Sequence, residues 1–167
     1  MIKRTTPVKR QIPSGVWVLG FVSLLMDISS EMIHSLLPLF LVTTLGVSAF
    51  TVGLIEGAAE ATALIVKVFS GVLSDYLGKR KGLAVLGYAL GALTKPFFAL
   101  ASGAGLVVAA RLLDRVGKGI RSAPRDAWLA KLATKDTLPT VFGFHRGMDH
   151  LGAVLGPLLA TAFLLYY

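Results

Sequence analysis

Cysteine is absent from all 167 residues, which excludes a disulfide framework and any thiolate metal site and leaves the redox compartment unreadable. The chain also lacks an internal repeat of the solenoid kind and any low-complexity tract. A nucleotide phosphate loop is missing as well. Gly117-Lys118-Gly119 resembles one in part, but Leu112 stands where the upstream glycine is required and no Ser or Thr follows the lysine. No catalytic constellation emerges, and the sequence gives no basis for an enzyme or for a bound cofactor.

What is present is apolar. Hydrophobic residues make up 54% of the chain and the mean hydropathy is +0.72, against an apolar fraction of about 45–50% in soluble domains. The lipid bilayer is therefore the expected solvent. The net charge of +8 comes from short basic clusters between apolar runs, not from one basic face. That pattern argues against nucleic-acid binding and for a topology signal.

Five segments can each cover about 30 Å of hydrocarbon at 1.5 Å per residue: residues 15–45, 51–77, 83–101, 106–129 and 140–167. A spanning helix satisfies its own backbone hydrogen bonds. The expected fold class is thus all-α, a polytopic transmembrane helical bundle of about five spans (15–167) behind a tail of residues 1–14. The tail carries Lys3, Arg4, Lys9 and Arg10 ahead of an apolar run. That run is too long for a signal peptide and lacks a small-residue cleavage site, so it reads as a retained first span. Connectors 46–50 and 102–105 carry no charge, whereas the tail, the turn at 78–82 and residues 121–135 are rich in Lys and Arg. The positive-inside rule puts these three on the cytoplasmic side of an inner membrane, with the amino terminus inside.

Ionisable residues near a bilayer centre cost at least about 2.5–3.5 kcal/mol each on insertion scales, so each must face the bundle interior, water or a partner. Asp27, Glu31 and His34 fall at i, i+4 and i+7 on one helical face, and Glu56, Glu60 and Lys67 repeat that geometry on the second span. The fourth span gathers Arg111, Asp114, Arg115 and Lys118 along one stripe, with Arg121 beyond. On the fifth, Arg146, Asp149 and His150 stand at i, i+3 and i+4. Counted from the predicted ends, Asp27, Glu60, Asp114, Arg115, Asp149 and His150 share one central depth. Structural ion pairs, such as Asp114 with Arg111 or Arg115 and Glu60 with Lys67, would explain single residues. A hydrated central cavity explains the set, because a dry bundle gains little from permanently buried pairs. Asp27, Glu31 and His34 also suit a divalent cation, although carboxylates beside an imidazole serve a proton relay equally well.

The charged turn Gly71-Val-Leu-Ser-Asp75-Tyr-Leu-Gly78-Lys79-Arg80-Lys-Gly82 separates two long apolar runs. Gly71 permits close helix approach, Gly78 a tight turn, and Asp75 is placed to pair with Arg121 or Arg125 as a gate. Gly71, Leu73, Asp75, Gly78, Lys79 and Arg80 match the loop signature between the second and third helices of major facilitator superfamily transporters, which the whole chain resembles. Tyr76 replaces the arginine usual after Asp75. Arg111, Gly117 and Gly119 resemble that superfamily's fourth-helix signature, with Arg115 where glycine is usual. Gly152, Gly156 and Pro157 resemble its fifth-helix antiporter motif, which ends in two further glycines where this chain has Ala160 and Thr161.

The resemblance covers the first five of the usual twelve helices. It implies a secondary transporter of a small polar or charged solute, proton-coupled and weighted towards efflux or antiport, working by alternating access. Asp27, Glu31, His34, Glu60, Asp149 and His150 would handle protons or a cation. Arg111, Arg115 and Lys118, with Asp114 among them, would attract an anionic or polar substrate, while Asp75, Lys79 and Arg80 gate the cytoplasmic side. Expected partners are lipid, the solute, protons, and the missing half, whether a second copy or another polypeptide. The alternatives are a divalent-metal transporter and a non-transporting interaction remnant.

Overall fold

A computed structural model describes residues 12–166. The tail basic residues Lys3, Arg4, Lys9 and Arg10 lie outside the described residues. Five helices alternate in direction: α1 (Ser14–Thr43), α2 (Ala49–Leu77), α3 (Arg80–Ala99), α4 (Ala104–Leu132) and α5 (Leu138–Tyr166). The protein is all-α. Four of the five helices are long and apolar enough to cross a membrane. The exception is α4, whose 29 residues include Arg111, Asp114, Arg115, Lys118, Arg121, Arg125 and Asp126. It can afford them because its neighbours cover it: Arg111, Asp114, Arg115, Arg121 and Arg125 are all buried.

The turns follow from local chemistry. Ser48 caps α2 by accepting a hydrogen bond from the Thr51 backbone N–H at 3.2 Å. Gly78 ends the same helix at φ +64°, a left-handed conformation that a side chain would strain. The chain turns at once into α3, which begins at Arg80, three residues before the apolar run at 83. Helix α4 likewise runs three residues past 129, because its last turn packs Leu129 and Leu132 against α1.

The helices pack in two groups. Helix α1 lies along α5, and α4 lies between α2 and α3, while contacts across the two groups are few. Small residues set the spacing within each group. A Cβ added at Gly152 or Gly156 of α5 would come within 2.9 Å of the Leu24 and Ile28 carbonyls of α1, respectively. One added at Gly117 of α4 would lie 2.9 Å from the Gly87 carbonyl of α3.

Between the two groups the core is sorted by polarity along the axis. Val16, Leu19, Leu129 and Val141 form an apolar cluster towards one end. Leu37, Leu41, Val52 and Val107 form another towards the opposite end. The charged side chains lie between these plugs. Outward faces are apolar, with Leu25, Leu64, Val68 and Phe69 all exposed, as a bilayer requires.

Candidate functional site

The charged side chains form a column, not the single layer that counting rise suggests. On α1 the polar groups run from Ser23 to His34, eleven residues or about 16 Å along the axis. At the level of Ser23, hydrogen bonds join four helices. Its Oγ meets Tyr88 of α3, the His145 Nε2 at 3.2 Å and Arg125 of α4 at 3.4 Å. Next along the column, Arg121 donates to Asp27 at 3.1 Å, with its guanidinium 4.8 Å from the Tyr88 ring centroid. Arg125 reaches Asp149 at 3.3 Å, and Arg146 reaches Asp126 at 2.8 Å. These pairs tie α4 to α1 and α5.

Farther along, Lys95 of α3 donates to Asp114 at 2.9 Å and to Ser30 at 2.8 Å. His34 lies between Glu31 at 3.3 Å and Glu56 at 2.9 Å, and Glu56 also takes a bidentate pair of bonds from Arg111, whose Nε donates at 3.1 Å. Arg115 pairs with Glu60 at 3.0 Å.

Several expected pairs do not form. Asp75 does not meet Arg121 or Arg125. It is 70% exposed at the end of α2 and takes its bond from Arg80 at 3.1 Å, while Arg121 and Arg125 point inward to α1 and α5. Glu60 joins Arg115 and not Lys67, and the strong partner of Asp114 is Lys95. Among the substrate cations, Arg111 and Arg115 are committed to Glu56 and Glu60. Only Lys118 is left, with no ion pair among the described residues. Asp27 pairs with Arg121, whereas Glu31 pairs with His34, and no cluster able to hold a metal forms among the described residues. His150 is exposed and hydrogen-bonds to the Arg146 carbonyl at 2.7 Å. Its neighbour His145, one turn before Asp149, is the buried imidazole.

Sequence reasoning passed over Lys95, Ser23, Tyr88 and His145. Lys95 carried a readable signal, since a lysine inside an otherwise apolar span needs an internal partner. Ser23 and Tyr88 carried none, being ordinary polar residues whose importance depends on which helices meet. The helix-packing glycines are placed where they position the site. Gly152 sits against Asp27 and Gly156 against Glu31, so α5 seats on α1 at its two inward carboxylates. A Cβ added at Gly71 would lie 3.3 Å from the Ala123 Cβ of α4, closer than ordinary contact. Pro157 lies within α5, where the Thr161 hydroxyl donates to its carbonyl at 2.9 Å.

A cavity of about 330 Å³ opens on the column where the two groups part. Asp27, Glu31, Lys67, Lys118, Arg121, Arg125, Asp126, Arg146, Asp149 and His150 line it, five basic side chains facing four carboxylates. Asp149 Oδ1 and, deeper in the bundle, Arg115 Nε and Nη2 are buried without a hydrogen-bond partner among the described residues. Such atoms are uncommon in folded proteins.

The sequence pattern of the Major Facilitator Superfamily matches residues 19–167. The chain belongs to the Major Facilitator Superfamily. An uncharacterized MFS-type transporter of Methanocaldococcus jannaschii is 42% identical over 158 residues, covering 94% of this chain and 39% of that protein. An uncharacterized protein of Mycobacterium tuberculosis is 32% identical over 149 residues, covering 89% of this chain and 36% of its own length. The multidrug resistance protein MdtH of Photorhabdus laumondii is 29% identical over 152 residues, 91% of this chain and 38% of MdtH. The chain thus spans under two-fifths of the length of each of these relatives. With the apolar helices, the family makes it a multi-pass membrane protein.

Proposed function

We propose that this protein forms part of a secondary carrier that moves a small polar or charged solute by alternating access, coupled to protons and directed to export or exchange. The observation that carries this reading is the junction between the two helix groups. Between the apolar contacts at either end of the bundle they meet through ion pairs around a cavity, so sliding one group against the other exchanges charged partners at that level. Asp27, Glu31, Asp149 and His150 line that cavity and are the groups to carry a proton or a cation, with His34 behind Glu31. Lys118 is the cation left to meet the solute.

The gate moves from the turn into the bundle. Arg121 with Asp27 and Arg125 with Asp149 are the pairs that open and close, while Asp75 and Arg80 brace the turn and Gly71 and Gly78 shape it. The export direction is supported by the name of MdtH, a multidrug resistance protein. Lys79, Arg80, Lys81 and Lys131 lie at one end of the bundle, and the uncharged connectors at the other. This arrangement supports a cytoplasmic location for the former end, in a cell whose inner membrane holds the protein. Alternating access needs a second bundle, supplied by more of the same polypeptide, a second copy or another chain.

The test is solute-driven pH change in proteoliposomes of the assembled carrier. Asp27→Asn is expected to abolish the proton signal and Lys118→Gln to weaken solute dependence. Unchanged flux in both variants would remove the cavity from the transport path.

A further inference from the structure

His145 of α5 sits inside the junction between the two helix groups, 1% exposed, and the gating pairs leave it unused. Its Nε2 is hydrogen-bonded with Ser23 Oγ of α1 at 3.2 Å, and its Nδ1 lies 3.5 Å from Asp149 Oδ2, one turn along the same helix. Yet Nδ1 has no hydrogen-bond partner among the described residues, and neither has Asp149 Oδ1. Buried polar atoms left unpaired are costly and uncommon. Here a basic nitrogen and a carboxylate stand side by side, short of one proton between them. Every group in contact with His145 belongs to this chain and is enclosed with it.

The surrounding charges are shared between helices. Arg125 of α4 reaches Asp149 Oδ2 at 3.3 Å and Ser23 at 3.4 Å, and on its own helix it reaches Asp126 at 3.3 Å. Tyr88 of α3 meets the same Ser23 hydroxyl, and Asp27 of α1 is held by Arg121. Arg146 of α5 touches Asp149 at 3.4 Å, but it is 48% exposed and bonds more closely to Asp126 at 2.8 Å. The one buried cation on Asp149 is therefore Arg125, which belongs to the other helix group. Parting the groups takes Arg125 from Asp149 and leaves it Asp126. Asp149 keeps His145, because i, i+4 neighbours on a helix stay together. A neutral imidazole cannot balance an enclosed carboxylate, whereas an imidazolium can.

We propose that His145 binds the coupling proton at Nδ1, where the proton replaces Arg125 as the counter-charge of Asp149 when α4 and α5 part; this rests on the proton-coupled reading above. The proton comes from water in the cavity that Asp149 lines, enters the Nδ1 lone pair and leaves the same way when Arg125 returns. No covalent bond of the protein's carbon skeleton changes. Ser23 accepts from Arg125 and from Nε2–H while giving its own proton to Tyr88, and that tautomer keeps Nδ1 free. His150, exposed and bonded to the Arg146 carbonyl, has no such tie to another helix.

The experiment is nitrogen NMR of the histidine rings of the assembled carrier in nanodiscs over about pH 5 to 8, with the His145 signals assigned by their loss in His145→Gln. Nδ1 is expected to pass from unprotonated to protonated as the pH falls. Asp149→Asn should weaken this proton binding about ten-fold and Arg125→Gln strengthen it about ten-fold, with Arg146→Gln changing it less. Spin labels at Val18→Cys and Val85→Cys, on the exposed faces of α1 and α3, should move apart through the same pH range, and stay put in His145→Gln. A His145 that keeps one protonation state throughout, or titrates alike in the Asp149 and Arg125 variants, overturns the proposal. So does a larger effect of Arg146→Gln than of Arg125→Gln, or a label movement that survives His145→Gln. Should His145→Gln fail to fold, the titrations of the Asp149 and Arg125 variants decide the matter. Neither readout involves transport, so the proposal can fail while the solute-driven pH change of the carrier persists, and the reverse.

Discussion

Replacing Arg121 by methionine tests whether α4 is held to α1 by charge. The Arg121 side chain is 3% exposed and its Nη2 lies 3.1 Å from Asp27 Oδ1. Charge centres about 4 Å apart attract by about 4 kcal/mol at an effective dielectric constant near 20. Removing one partner leaves the Asp27 carboxylate largely desolvated, and breaking a buried pair this way costs about 3–5 kcal/mol. The lost contact with the Tyr88 ring adds about 1 kcal/mol. Lys118 faces the same cavity and offsets part of this, so the lower figure is expected. Asp27→Asn in the Arg121→Met background removes the stranded charge and should recover about 2 kcal/mol or more. Reversible unfolding of all four proteins in bicelles gives the cycle. A double variant no more stable than Arg121→Met would show that the pair does not couple the two helix groups.

Gly156→Ala should destabilise by about 1–3 kcal/mol through overpacking, because its Cβ would meet the Ile28 carbonyl at 2.9 Å and Glu31 Cβ at 2.7 Å; an unchanged unfolding midpoint would mean that α5 does not seat on α1 as described. Tyr88→Phe loses the hydroxyl bond to Ser23 and keeps the ring under Arg121, so a loss of about 1 kcal/mol is expected, with Tyr88→Leu clearly worse; equal losses would remove the ring contact from the argument. Lys95→Met strands Asp114 between α3 and α4 and should cost about 3–5 kcal/mol, whereas a stable Lys95→Met protein would mean that Asp114 is neutral or paired elsewhere. Asp75→Asn should leave the unfolding midpoint within about 1 kcal/mol, since its pair with Arg80 is exposed; a larger fall would restore Asp75 to a buried latch.

The amino-acid sequence by itself determined that the chain is helical, that five of its segments are long enough for a bilayer and that its charges must turn inward, while the structure leaves four of the helices apolar enough to cross one. Each of these conclusions rests on short-range patterning or on the cost of charge in hydrocarbon, and neither needs knowledge of which helices touch. The same one-dimensional logic put Asp27 and Glu31 on one face and put Gly152 and Gly156 on one stripe of α5, where the folded chain uses them. Pairing was a different matter. Arg121 was equally able to reach Asp75 or Asp27, and Glu60 to reach Lys67 or Arg115, because every helix offers several charges at i, i+3 and i+4. Only the packing of α4 between α2 and α3, and of α1 on α5, chose among them. It turned Arg111 and Arg115 from candidate substrate ligands into partners of Glu56 and Glu60 and left Lys118 facing the cavity. Tertiary structure also brought Ser23, Tyr88, His145 and Arg125 together from four helices. Such a meeting leaves no local trace in sequence, since each residue satisfies its hydrogen bonds only after the helices have assembled.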